Sequence, residues 1–128
     1  MQVKITQGVK ISVETFYQND YSRPEVNEFN FAYRITIENL SENTVMLMRR
    51  HWHIFDSSGS WREVEGEGVV GQQPVIHPGQ SHVYVSGCSL KSEIGTMHGY
   101  YTMIRLLDNK SMKVNIPAFQ LIAPGKLN

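Results

Sequence analysis

Phe29, Phe31, Tyr33, Ile35 and Ile37 place five large apolar side chains on alternate positions, with Asn30, Arg34, Thr36 and Glu38 between them and Ala32 in their midst. Successive residues of a strand face opposite ways, so this pattern builds a strand with one buried face and one wet face. Val9, Ile11 and Val13, spaced by Lys10 and Ser12, repeat the period. No amphipathic pattern with a 3.6-residue period competes. A chain organised on a period of two buries its apolar faces by laying sheet on sheet.

The remaining segments fit that scheme. Thr44–Asp56 reads as a third strand with mixed faces: Met46, Met48, Arg50, Trp52 and Ile54 alternate with Val45, Leu47, Arg49, His51, His53 and Phe55. Trp61–Val64 reads as a short edge strand. Glu65–Gln80 reads as a long loop with a brief extended piece at Val75–Ile76 and a type II turn at Pro78–Gly79. His82–Cys88, Met97–Leu107 and Met112–Ile122 complete the set, and Pro117 suits an edge position or a bulge. About seven short strands predict an all-β antiparallel β-sandwich. Cys88 is the only cysteine, which excludes an intrachain disulfide and a Cys₂His₂ zinc site. Without an antibody-type pin, a fibronectin-III-like topology is the expectation.

The 128 residues predict one domain, 1–128, with residues 1–7 and 124–128 expected to fray. Twelve acidic and twelve basic residues give a formal net charge of zero. That removes the electrostatic case for broad binding of nucleic acid or anionic membrane, and it mildly favours self-association, so a homodimer stands as an option. MQVKITQGVK has no apolar h-region, and no run reaches the roughly 20 apolar residues of a membrane span. A soluble cytoplasmic protein without membrane insertion is the simplest expectation.

Seven of the ten glycines fall between Gly66 and Gly99. Gly66, Gly68 and Gly71 fit G-x-G-x-x-G, the spacing that wraps a dinucleotide pyrophosphate at a helix start. Pro74 and Pro78–Gly79 leave no room for that helix, and Lys91 stands near the position where an acidic residue is needed. Glu65 and Glu67 would repel a pyrophosphate unless a cation intervened. The leading reading of Gly66, Gly68, Gly71, Gln72 and Pro74 is therefore a tight, buried or partner-facing loop whose glycines supply positive φ and close backbone approach. The alternative is a backbone nest for phosphate oxygens.

His51 and His53, at i and i+2 on a strand, share a face, and Asp56 could add an oxygen; such a set suits cobalt or zinc far better than magnesium. Packing or surface roles are the commoner use, so no metal is expected, and these two histidines are the candidates if one binds. His77, His82 and His98 show no recognisable spacing. Cys88 reads as a small buried hydrophobe. Met46, Met48, Met97 and Met103 read as core, and Trp52 as the core's centre. No catalytic constellation and no cofactor motif in its proper context is present, so neither activity nor cofactor is expected.

Three strings identify a family. Arg50–His51–Trp52 with Ile54, Asp56 and Gly59 resembles the Trp-containing strand and turn of ApaG proteins. Gly66–Glu67–Gly68–Val69–Val70–Gly71–Gln72–Gln73–Pro74 with Pro78–Gly79 is similar to their central motif. So is Tyr84–Val85–Ser86–Gly87–Cys88–Ser89–Leu90 followed by Gly95, Met97, Gly99, Tyr101 and Met103. The resemblance covers essentially the whole chain. It implies a fibronectin-III-like sandwich, and an association of bacterial members with cobalt resistance and magnesium efflux. Their genes often lie beside one for a diadenosine tetraphosphate hydrolase. Related eukaryotic domains sit beside an F-box, in a protein-binding role. It supplies no catalytic residues. Together these readings lead to a non-enzymatic interaction module acting through an unknown protein partner in divalent-cation homeostasis. The alternative is a sensor of nucleotide polyphosphates.

Overall fold

The computed structural model describes residues 1–125; residues 126–128, part of the tail expected to fray, lie outside the described residues. The strands run β1 (Gln2–Thr6), β2 (Val9–Tyr17), β3 (Phe29–Asn39), β4 (Val45–Asp56), β5 (Ser60–Glu67), β6 (Val75–Ile76), β7 (Ser81–Leu90), β8 (Ile94–Arg105) and β9 (Lys110–Ile122). They form two antiparallel sheets, β1-β2-β3-β7 and β5-β4-β8-β9, with the two-residue β6 pairing with β4 beyond the end of β5. This is the expected fibronectin-III-like sandwich.

Alternation sets what is buried. Phe29 through Ile37 in β3 and Val9 through Val13 in β2 bury the side chains their period assigns. Against them the second sheet lays Trp52, Met97, Tyr101, Met103 and Phe119. The rings of Tyr33, Trp52 and Phe119 meet pairwise with centroids 5.5–5.8 Å apart, in tilted and edge-on arrangements, which are favourable for aromatic quadrupoles.

Two segments differ from expectation. Residues 1–7 do not fray as a unit: Gln2–Thr6 pairs along β2 from Gln2↔Val13 to Thr6↔Val9. The chain reverses through Gln7 and Gly8, both at positive φ (49° and 81°), the backbone of a two-residue type I′ hairpin. In β4, pairing with β8 shifts between Leu47 and Arg49. This bulge at Met48 swaps the faces, so Val45 and Leu47 are buried on the same side as Trp52, Ile54 and Asp56. The apparent mixing of both faces is thereby resolved, and Met46 and Met48 are only half-buried rather than core, while Met97 and Met103 are fully buried. A second shift falls at Pro117: Gly99 pairs with Ile116 and Met97 with Phe119, so the ladder passes over Pro117 and Ala118 on an edge strand.

Candidate functional site

The glycine run forms a hairpin rather than a phosphate loop leading into a helix. Gly66 and Glu67 finish β5, and Val69 and Gln72 then pair across a two-residue corner, Val70–Gly71. Both corner residues have positive φ, 47° and 75°, again type I′. Glycine suits that geometry; valine, β-branched, is strained there. Gly68 is also left-handed, and a Cβ on it would run into the Gln72 carbonyl.

The amides of Gly68, Val69 and Gln72 are committed internally, donating to the carbonyls of Met48, Gln72 and Val69 at 2.8, 2.8 and 3.0 Å. Gln73 Nε2 adds a second hydrogen bond to the Met48 carbonyl, at 3.0 Å. The Leu47 amide donates to the Pro74 carbonyl, also at 3.0 Å. The bulge in β4 thus presents its carbonyl to the hairpin, and Gly68, Gln72 and Pro74 come together as one braced unit beside β4. Val69 is buried beneath, and Val70 stands exposed at the tip.

Beside this hairpin the sandwich is open. The first sheet ends at β7, while β5 extends the second sheet past it, so the inward side of β5 (Arg62, Val64, Gly66) faces a cleft instead of a strand. The cleft has two chambers, about 370 Å³ next to the hairpin and about 230 Å³ toward Cys88, and Tyr33, Arg50, Trp52 and Ser86 line both. Arg50 divides them. Its Nη1 donates to the carbonyls of Glu67 and Gly68 at 2.9 and 3.0 Å, and its guanidinium fills the space a Cβ on Gly66 would need. Arg62 spans the far chamber, its Nη2 donating to the Ser89 carbonyl at 2.6 Å and lying 3.4 Å from Cys88 Sγ.

Among the described residues neither arginine forms an ion pair with a carboxylate. Among the described residues the only acidic one lining either chamber is Glu67. Burial pushes the Tyr33 phenol above its usual range, despite a hydrogen bond with Ser86 and the nearby Arg50 charge, so the floor adds no negative charge at neutral pH. Burial likewise raises the Cys88 thiol, although Arg62 pulls it the other way; a thiol in this state is a poor nucleophile.

The histidines lie on the opposite, outer face of the same sheet. His51 and His53 adjoin with ring centroids 4.8 Å apart, as expected for i and i+2, and His98 from β8 stacks on His53 at 4.9 Å. Asp56 does not join them. Alternation turns it inward, where it accepts hydrogen bonds from the Ser58 amide, the Lys91 amide and Ser92 Oγ. Glu63 and Glu65 approach the histidines instead, because β5 sets Glu65 opposite His51 and Glu63 opposite His53.

Sequence spacing singled out the glycine segment, as a tight loop rather than a hairpin, and the His51/His53 pair, but missed Arg50, Arg62 and Ser86 as cleft residues. Arg50, two before Trp52, and Arg62, two before Val64, were the available signals, legible only once the strand pairing is known. His98 gave none, since its partner lies 45 positions away and is set by the His53↔His98 register.

A profile of the ApaG domain family matches residues 19–105. Protein ApaG of Brucella canis is 44% identical over 124 residues, 97% of this chain and 95% of its own length. Protein ApaG of Mesorhizobium japonicum is 44% identical over 121 residues, 94% of this chain and 92% of its own. Among solved structures, a Bordetella pertussis protein described as ApaA superposes with a TM-score of 0.88 at 36% identity, over 92% of this chain and 95% of that one. Among the described residues no helix is long and apolar enough to cross a membrane.

Proposed function

This chain belongs to the ApaG domain family, and on that premise we propose that it is a non-enzymatic binding module, a single cytoplasmic domain that acts through a protein partner in divalent-cation (cobalt and magnesium) homeostasis. The partner docks in the cleft between β5 and β7, against the hairpin of Gly66, Gly68, Gly71, Gln72 and Pro74.

One observation carries this reading: two guanidinium groups, Arg50 and Arg62, line a cleft between two strand edges and have no carboxylate partner among the described residues. Charges of one sign in a recess attract a ligand of the other sign and set its register more than its raw affinity. The neighbouring edge strand offers unpaired backbone groups to an extended segment; Arg62 already uses one such carbonyl, that of Ser89. An extended acidic stretch of a partner satisfies both features.

The other reading, a nucleotide-polyphosphate sensor built on Gly66–Gly71, requires hairpin amides to point at phosphate, and three of them are occupied by carbonyls. The test is capture with immobilised chain. A specific partner retained by the native protein and lost by an Arg50→Gln/Arg62→Gln double variant of equal stability supports the docking surface. Equal retention by both removes it.

A further inference from the structure

The outer face of the second sheet holds a cluster that the docking function does not use. The Glu63 carboxylate sits between two imidazoles, with one oxygen 3.0 Å from His51 Nε2 and the other 3.8 Å from His53 Nδ1. One ligand atom from each of the three residues lies within 4.8 Å of the others. On its far side, His51 Nδ1 is 2.9 Å from Glu65 Oε1 and 3.2 Å from the Tyr100 hydroxyl, and the Tyr100 ring stacks on the imidazole.

We propose that His51, His53 and Glu63 form a binding site for a divalent transition-metal ion of the imidazole-preferring class, such as zinc or cobalt, with Glu65 as the positioning residue for His51. Two imidazoles and one carboxylate around an open position are a common donor set for such ions, whereas magnesium prefers oxygen donors alone.

The decisive feature is the far side of His51. A ligating imidazole usually gives its other N–H to a carboxylate, which fixes the tautomer and raises the basicity of the free nitrogen. His51 Nδ1 has the Glu65 carboxylate and the Tyr100 hydroxyl beside it, so in the tautomer that carries its proton on Nδ1 the Nε2 lone pair is free for a metal ion between His53 and Glu63. Both nitrogens of one ring face carboxylates, and a metal ion on Nε2 would be held by negative charge on two sides of the imidazole. Strand pairing supplies the rigidity: both histidines lie on β4, opposite Glu65 and Glu63 of β5. Donors on a tetrahedral zinc sit about 3.3 Å apart, so closing the site draws donor atoms that already lie within 4.8 Å of one another together by at most about 1.5 Å.

Metal-free full-length chain titrated with zinc in a calorimeter, and with cobalt followed by visible absorption, tests the site. The expected result is one ion per chain, with the intense visible bands of four-coordinate cobalt. His51→Ala and His53→Ala abolish binding, Glu63→Gln weakens it at least tenfold, and Glu65→Gln weakens it about 10- to 100-fold. His82→Ala leaves it unchanged. Because Glu63 is exposed, Glu63→Gln remains informative even where a histidine variant fails to fold. Absence of saturable binding, or binding undiminished by Glu63→Gln and His53→Ala, overturns the site. Loss in His98→Ala with Glu63→Gln unaffected overturns the ligand set.

Discussion

The guanidinium of Arg50 occupies the space over Gly66 that a side chain there would fill, with its nearest atoms 2.8–2.9 Å from the position of an added Cβ. Glycine at this end of β5 is therefore a packing requirement, not a φ requirement. Gly66→Ala should push Arg50 aside and break its hydrogen bonds to the Glu67 and Gly68 carbonyls. The displaced group is the end of a flexible chain, so the cost should be about 0.5–1.5 kcal/mol. Urea unfolding should show a small loss with an unchanged slope, and the amide resonances around Glu67 and Gly68 should shift while the core stays native.

The hairpin corner separates the remaining glycines by mechanism. Gly68→Ala meets both a left-handed backbone and the Gln72 carbonyl, whereas Gly71→Ala meets only the backbone constraint, with open space around it. Gly71→Ala should cost about 1–2 kcal/mol, and Gly68→Ala clearly more. Val70 is strained at φ 47°, and asparagine tolerates that region better than valine. Val70→Asn should raise the unfolding midpoint, an outcome of opposite sign on the same denaturation curves.

Asp56 links acid stability to the start of β8. Burial opposes its charge, but hydrogen bonds from Ser92, the Lys91 amide and Ser58 outweigh that and hold the carboxyl below the usual aspartate range. Its folded pKa thus lies below the unfolded one, so its stabilisation is complete above about pH 4 and is lost as pH falls through the folded value. Asp56→Asn presents an N–H to groups that themselves donate. It should cost about 1.5–3 kcal/mol at neutral pH and flatten the acid limb of the stability profile below about pH 4. Thermal melts from pH 7 to pH 2 for both proteins measure this directly.

Nucleotide binding is separable from partner binding. With the Gly68, Val69 and Gln72 amides already donating to carbonyls, titration with ATP or diadenosine tetraphosphate plus magnesium should leave the resonances of Gly66, Gly68 and Gly71 unmoved at millimolar ligand. Saturable, localised shifts at those three residues would instead establish the sensor.

The sandwich was legible because Val9–Val13 and Phe29–Ile37 alternate without interruption, and one strong period fixes both strand and buried face. Legibility fails where one residue breaks the period. At Met48 a single bulged position inverts the inward set, moving Val45 and Leu47 into the core and Met46 and Met48 out of it. Nothing local marks that bulge, since the carbonyl it releases is taken up by Gly68 and Gln73, some twenty residues away. The β1 hairpin was missed for a different reason: Gln7–Gly8 adopts a turn more often signalled by Asn-Gly or Asp-Gly. The glycine string disclosed a demanding loop, but the cleft depends on which strand edges end the two sheets. Arg50 and Arg62 meet there through pairing register, which local spacing does not encode.

Amide hydrogen exchange of this chain, free and with a captured partner, tests the docking surface most directly. The expected result is protection gained along β7 (Ser81–Leu90), β5 and residues 66–74, with β1 and β2 unchanged, and abolished by Arg50→Gln/Arg62→Gln. Protection confined to the β1–β2 side, or surviving the double variant intact, would contradict the cleft as the site of partner recognition.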